Sequence, residues 1–117
     1  MHKYNAKHVT IDGINFPSTL EGKFYNFFKE NGIEILELQP VFLLQDKCEV
    51  RGEKLRAITY KADFRIVHEW DEYIVDAKWM KTEVFKLKIK LWKKRYGHEN
   101  NLIIAKSIKD LKKQIFE

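Results

Sequence analysis

The 117-residue chain carries 44% apolar, 14% aromatic and 33% charged side chains, enough to bury one core in too short a length for two, so a second domain and a disordered tail are both excluded. No apolar run approaches the roughly 20 residues that cross a bilayer; no signal-peptide core follows Met1; and the single Cys48 builds neither an internal disulfide nor a cysteine-rich metal site, so a reducing, cytoplasmic setting is expected. The net charge of +5 is uneven: residues 1–80 hold 11 Lys/Arg against 13 Asp/Glu and residues 81–117 hold 11 against 4, a basic C-terminal part that fits either a polyanion partner or a solvated lysine-rich helix.

Ser18-Thr19-Leu20-Glu21 has the form of a capping box, and Leu20, Phe24, Phe27 and Phe28 recur at helical spacing before Gly32, which predicts a helix over 18–31. Short strands are expected over 33–38 and 41–45, split by Pro40, and the polar stretch 46–54 reads as a loop. Alternation over 56–68 and a β-rich run over 73–79 predict the two long strands of a hairpin. Thr82 is placed to cap a helix that runs to Tyr96 and closes at Gly97; a buried strand over 101–105 and a basic helix over 107–116 follow. The order α-β-β-β-β-α-β-α defines an α/β chain, α+β in detail, with a mixed sheet and helices on its faces.

Whole reaction classes are missing from this pattern. There is no phosphate-cradling glycine loop, so no nucleotide cofactor is expected, and there is no nucleophile motif around a serine or cysteine. His2, His8, His68 and His98 are scattered, as surface or packing residues are. Carboxylate chemistry remains.

In Tyr73-Ile74-Val75-Asp76-Ala77-Lys78-Trp79 an acid and an amine stand two residues apart, so period-two geometry points both to one face and Val75, Ala77 and Trp79 to the other. Burying a lone carboxylate costs several kcal/mol, so Asp76 requires a partner; an ion pair with Lys78 or Lys61 is the structural option. In the preceding strand Ala62, Phe64 and Ile66 share a face, leaving Asp63 on the other with Lys61 and Arg65. A four-residue loop closed by residues 67 and 72 sets Asp63 directly opposite Asp76. Two facing carboxylates repel unless a proton, a lysine or a divalent cation compensates. Glu21 is a third acid. It occupies the N3 position of the capping box, where it can bond back to Ser18, and it also lies at the edge of the Leu20/Phe24/Phe28 stripe, from which it can reach the sheet.

Taken in order, Phe16-Pro17-Ser18-Thr19-Leu20-Glu21, Ala62-Asp63-Phe64 and Asp76-Ala77-Lys78 resemble the core motif of the PD-(D/E)xK nuclease superfamily over residues 4–112, with the nearest likeness to small junction-resolving phage endonucleases. Ala62 stands where the motif has proline, and Asp76 where glutamate is frequent. The resemblance implies a restriction-endonuclease-like αβββαβ core and DNA cleavage dependent on Mg²⁺ or Mn²⁺. It implies that Asp63, Asp76 and the carbonyl of Ala77 hold the ion, that Glu21 completes the site, and that Lys78 positions or deprotonates the attacking water. Lys81, Lys86, Lys90, Lys93 and Lys94, in and before the second helix, become candidate contacts to the DNA backbone, with Trp92 as core and Gln39 as a polar residue at a bend. A branched substrate and a homodimer are the accompanying expectations for a phage- or prophage-encoded protein, with the aromatic segment 16–28 or Phe116 serving either as its interface or as core. The alternatives are a nicking, flap or transposition-type nuclease, and a non-catalytic nucleic-acid-binding protein whose acids are structural.

Overall fold

The hydroxyl of Ser18 accepts from the Glu21 N–H at 3.2 Å and so caps the first helix as its motif predicts. The computed structural model describes residues 7–117. In chain order the elements are β1 (Val9–Ile11), β2 (Ile14–Phe16), α1 (Thr19–Glu30), β3 (Glu34–Leu38), β4 (Val41–Gln45), β5 (Cys48–Val50), β6 (Glu53–Leu55), β7 (Ile58–Lys61), β8 (Phe64–His68), β9 (Asp71–Ala77), α2 (Glu83–Tyr96), β10 (Asn101–Ala105) and α3 (Ile108–Phe116). The chain is mixed α+β, and no helix among the described residues is long and apolar enough to cross a membrane.

Four strands form the central sheet in the order β10-β9-β8-β3, with β10 parallel to β9 and the other pairs antiparallel. Alternation along β8 and β9 gives each face its own core. Phe64, Ile66 and Val75 face α1 and α3, where Phe24, Phe28 and Leu111 pack on them. Ile74 faces α2, which brings Phe85, Ile89 and Trp92, and the β4–β7 pair, which adds Phe42 and Tyr60. The parallel step from β9 to β10 needs a crossover, and α2 is that crossover.

The structure departs from the expected order in three places. The hairpin β1–β2 precedes α1; its strands are too short to show a period, and it fits against the helix because Gly22 has no side chain. A Cβ at Gly22 would meet Val9 Cγ2 at 2.9 Å. The expected loop 46–54 holds the hairpin β5–β6, turned at Arg51 and Gly52, which take φ of 51° and 87°. The expected strand 56–68 is two strands: β7 pairs with β4, β8 with β3 and β9.

The change of partner happens at a matched kink. Pro40 has no N–H to donate and Gln39 takes φ 52°, so neither continues a ladder. Instead the Gln39 N–H donates to the Asp63 carbonyl at 2.9 Å and the Ala62 N–H to the Pro40 carbonyl at 3.0 Å. The kink reverses the facing of what precedes it, so Ala62 lies in the α2-side core rather than beside Phe64 and Ile66 as expected. The β8–β9 hairpin closes more tightly than the expected four-residue loop. Pairing continues to His68↔Asp71, and the two turn residues, Glu69 and Trp70, have φ of 50° and 75°. An even loop of either length keeps the same register, and Phe64 lies opposite Val75.

Candidate active site

Three acids arrive from three elements. Asp76 is carried by β9 on the face of Ile74, and its side chain is 1% exposed. Asp63 sits in the kink, where its N–H donates to the Val75 carbonyl at 3.1 Å, the next step of the β8–β9 register. Its Oδ2 accepts from the Ala77 N–H at 2.8 Å. Glu21 is carried by the first turn of α1 and is 6% exposed; its carboxyl lies within hydrogen-bonding reach of Asp63. Its Oε1 is buried with no hydrogen-bond partner. The helix stripe that packs Phe24 and Phe28 on the sheet therefore also turns Glu21 inward.

Asp76 is held by Tyr60, whose hydroxyl donates to Asp76 Oδ2, and not by the ion pair with Lys78 or Lys61 that the sequence allowed. Burial and the Asp76 charge keep the Tyr60 phenol well above its ordinary range, so it stays a neutral donor. The sequence reading missed Tyr60 because an unbroken strand over 56–68 would set it on the face of Phe64, away from Asp76; the paired breaks at Gln39-Pro40 and Ala62-Asp63 were the available signal.

Electrostatics of the cluster follow from its crowding. Burial raises Asp63 far above the usual carboxylate range, and the neighbouring Asp76 and Glu21 raise it further. Glu21 is also raised, by burial first, against a lowering contact with Asp63. Without a counter-cation Asp63 and Glu21 are therefore both biased toward their protonated forms.

Lys78 is half-buried just beyond β9. Its N–H donates to the Ala105 carbonyl at 2.9 Å, and its ammonium lies over the Phe85 ring at 4.5 Å from the centroid. Phe85, from the first turn of α2, thus sets where Lys78 points. Lys78, Glu21 and Asp63 together line an open cleft of about 320 Å³, with Trp79, Met80 and Thr82 on its rim. A smaller cleft of about 160 Å³ reaches Glu21 and Asp63 from the other side, bordered by Gln39. Gln39 itself serves the kink through its backbone, in keeping with its reading as a bend residue.

Among the described residues no three His, Cys, Asp or Glu side chains are arranged to hold a metal ion as they stand. One oxygen of Asp76 is taken by Tyr60 and one of Asp63 by Ala77. The donor set nevertheless fits a hard divalent cation: three carboxyl groups, one with an orphaned buried oxygen, raise one another's affinity for positive charge.

The candidate DNA-contacting lysines are spread along α2. Lys81, Lys86, Lys90, Lys93 and Lys94 are all exposed. Lys86 pairs with Glu83 at 3.1 Å. Thr82, which caps α2, lines the cleft, so at 1.5 Å per residue Lys93 and Lys94 begin about 17 Å from it. Lys93 instead borders a separate cavity of about 610 Å³ near His98 and Gln114. Of the two readings of the aromatic segment 16–28, interface or core, its side chains follow the second: Phe16, Phe24, Phe27 and Phe28 are buried within the chain. Phe116 is half exposed and packs on Phe27 and His68.

These features define a mixed α+β protein with a buried carboxyl cluster and an adjoining lysine at the mouth of a cleft. The chain belongs to the DUF1064 family, described as a protein of unknown function, which matches residues 1–112. No curated protein and no solved structure matches it.

Proposed function

We propose that this protein is a metal-dependent DNA endonuclease of the PD-(D/E)xK type, encoded by a phage or prophage and acting in recombination or replication in the cytoplasm of a bacterial host. The observation that carries the reading is the convergence of Glu21 and Asp63 with Lys78 on an open cleft, with Asp76 buried against Asp63 just behind them. Buried acids crowded in this way are costly to keep and are explained by a task. Asp63, Asp76 and the Ala77 carbonyl are the groups to hold Mg²⁺ or Mn²⁺, with Glu21 as a further ligand. Bound there, the ion supplies Lewis-acid polarisation of a phosphate oxygen. Lys78 orients the attacking water and offsets negative charge at the phosphate, from a direction fixed by Phe85. Lys81, Lys86 and Lys90, nearest the cleft, take the DNA backbone, and Lys93 and Lys94 extend that track. Two symmetric cuts in a four-way junction would need a homodimer.

One observation favours a second reading. The Tyr60 bond satisfies Asp76 without any cation, as a structural acid in a non-catalytic DNA-binding protein would be satisfied. A single experiment separates the two: incubation with linear, flapped and four-way DNA, with and without Mg²⁺ or Mn²⁺. The nuclease reading expects metal-dependent cutting that Asp63→Asn, Asp76→Asn and Lys78→Ala each abolish while DNA affinity stays equal or rises. Binding without cutting on every substrate and metal leaves the second reading.

A further inference from the structure

Apolar side chains line the cleft alongside the charged ones. Trp79, directly after Lys78, is 46% exposed, and Met80 beside it also lines the cleft. The apolar surface then continues on to α2. Val84 and Leu87 are 63% and 58% exposed and, three residues apart, share the outer side of the helix, while Phe85, Ile89 and Trp92 fill its inner side. Single exposed apolar residues are ordinary, but four large ones in nine residues of sequence, two of them lining the cleft and two on the adjoining turns of α2, form an apolar stretch beside it. It is set among Lys78, Lys81, Lys86, Lys88 and Lys90, with Glu83 as the one acid between 78 and 90.

We infer that this face docks an unpaired, single-stranded stretch of DNA next to the phosphate being cut, with a base stacked on the Trp79 indole. The inference rests on the nuclease reading and narrows its substrate to DNA with a displaced or branched strand. Continuous duplex hides its base faces and offers phosphates, which lysines alone would serve. An unpaired strand presents both a polyanionic backbone and bare aromatic faces, and this surface has a counterpart for each. A second copy of the chain fits poorly, because a two-fold contact through this face would bring the same lysines together.

Binding of the full chain is measured in a chelator, so that no cutting intervenes, by fluorescence anisotropy on a single strand, a blunt duplex, and that duplex bearing a single-stranded arm. The wild type prefers the armed duplex and the single strand over the blunt duplex. Trp79→Ala weakens both of the preferred substrates about tenfold, the order one lost base stack carries, and leaves the blunt duplex within about twofold. Trp79→Phe restores most of the difference, and the unchanged binding of the blunt duplex by Trp79→Ala excludes a folding defect. Trp70→Ala, at the far end of the sheet, changes nothing. Equal binding of all three DNAs by the wild type, or a Trp79→Ala loss that is the same on all three or absent, overturns the inference. A wild-type dimer in sedimentation that Leu87→Glu converts to a monomer, with the strand preference intact, assigns the face to a second copy and also overturns it. Because cutting is not read, failure of the nuclease reading would show separately, as absence of metal-dependent cleavage with the strand preference retained.

Discussion

Asp63 is the residue on which the cluster turns. Unfolded carboxyl groups titrate near pH 4, whereas burial beside Asp76 and Glu21 makes Asp63 keep its proton to much higher pH. Between those limits the folded state binds more protons than the unfolded one, so its stability contribution is full below about pH 4 and declines as pH rises, by about 1.4 kcal/mol per pH unit for one retained proton. In a chelator, Asp63→Asn removes this decline, so at neutral pH it stabilises the fold by up to about 4 kcal/mol relative to the wild type, read as a higher thermal midpoint. Equal midpoints of the two proteins from pH 4 to pH 8 would deny the crowding. Tyr60 gives a prediction of the opposite sign. Tyr60→Phe leaves a fully buried Asp76 without its donor, so stability in urea falls by about 1–3 kcal/mol. If Asp76 is a ligand, Mn²⁺ affinity by calorimetry falls about 10- to 100-fold with it. At this scale the facing of Asp63 and Asp76 was legible, because a period of two and an even loop determine it. The Tyr60 partnership was not, because one kink between them inverts the assignment of everything upstream.

Elements with long, regular patterns were legible in the sequence, and those whose order comes from tertiary contacts were not. The aromatic stripe and Ser18 define α1, Thr82 defines the start of α2, and Ser107, which accepts from the Asp110 N–H, caps α3. The three-residue strands β1, β2, β5 and β6 carry too few positions to show alternation. The β8–β9 turn is unusual at this scale, because Glu69 and Trp70 hold backbone angles for which asparagine and glycine are the favoured residues. Trp70 is 97% exposed, so no packing compensates the strain. Trp70→Gly is expected to raise stability by about 1 kcal/mol, seen as a higher thermal midpoint; a fall would mean that the indole has a contact in the folded chain.

For the molecule as a whole, the asymmetry of charge has become a direction. Glu21, Asp63 and Asp76 are gathered where α1 meets the ends of β8 and β9, and the exposed lysines run outward along α2. If that track carries DNA, affinity falls steeply with salt as phosphate contacts release counterions, with a slope that drops by about one for each lysine reversed at Lys86 or Lys90. A salt-independent affinity would remove the track. The Tyr60–Asp76 bond adds a side-chain link between the β4–β7 pair and the central sheet, which also share the backbone bonds of the kink and the α2-side core.

The kink at Gln39-Pro40 and Ala62-Asp63 divides the long pair of strands into two leaves, crossed in the backbone by the two bonds that join those residues. The central sheet is covered on both faces by helices, whereas β5–β6 is exposed throughout. Amide exchange should therefore separate into cooperative blocks, with β8, β9 and β10 opening last, β5–β6 first, and β4–β7 between them. The carboxyl cluster lies on the seam: Asp63 and Asp76 belong to the slow block, while Tyr60 belongs to the intermediate one. Any partial opening that frees the outer leaf therefore releases Asp76 Oδ2 before the sheet that carries Asp76 has begun to unfold.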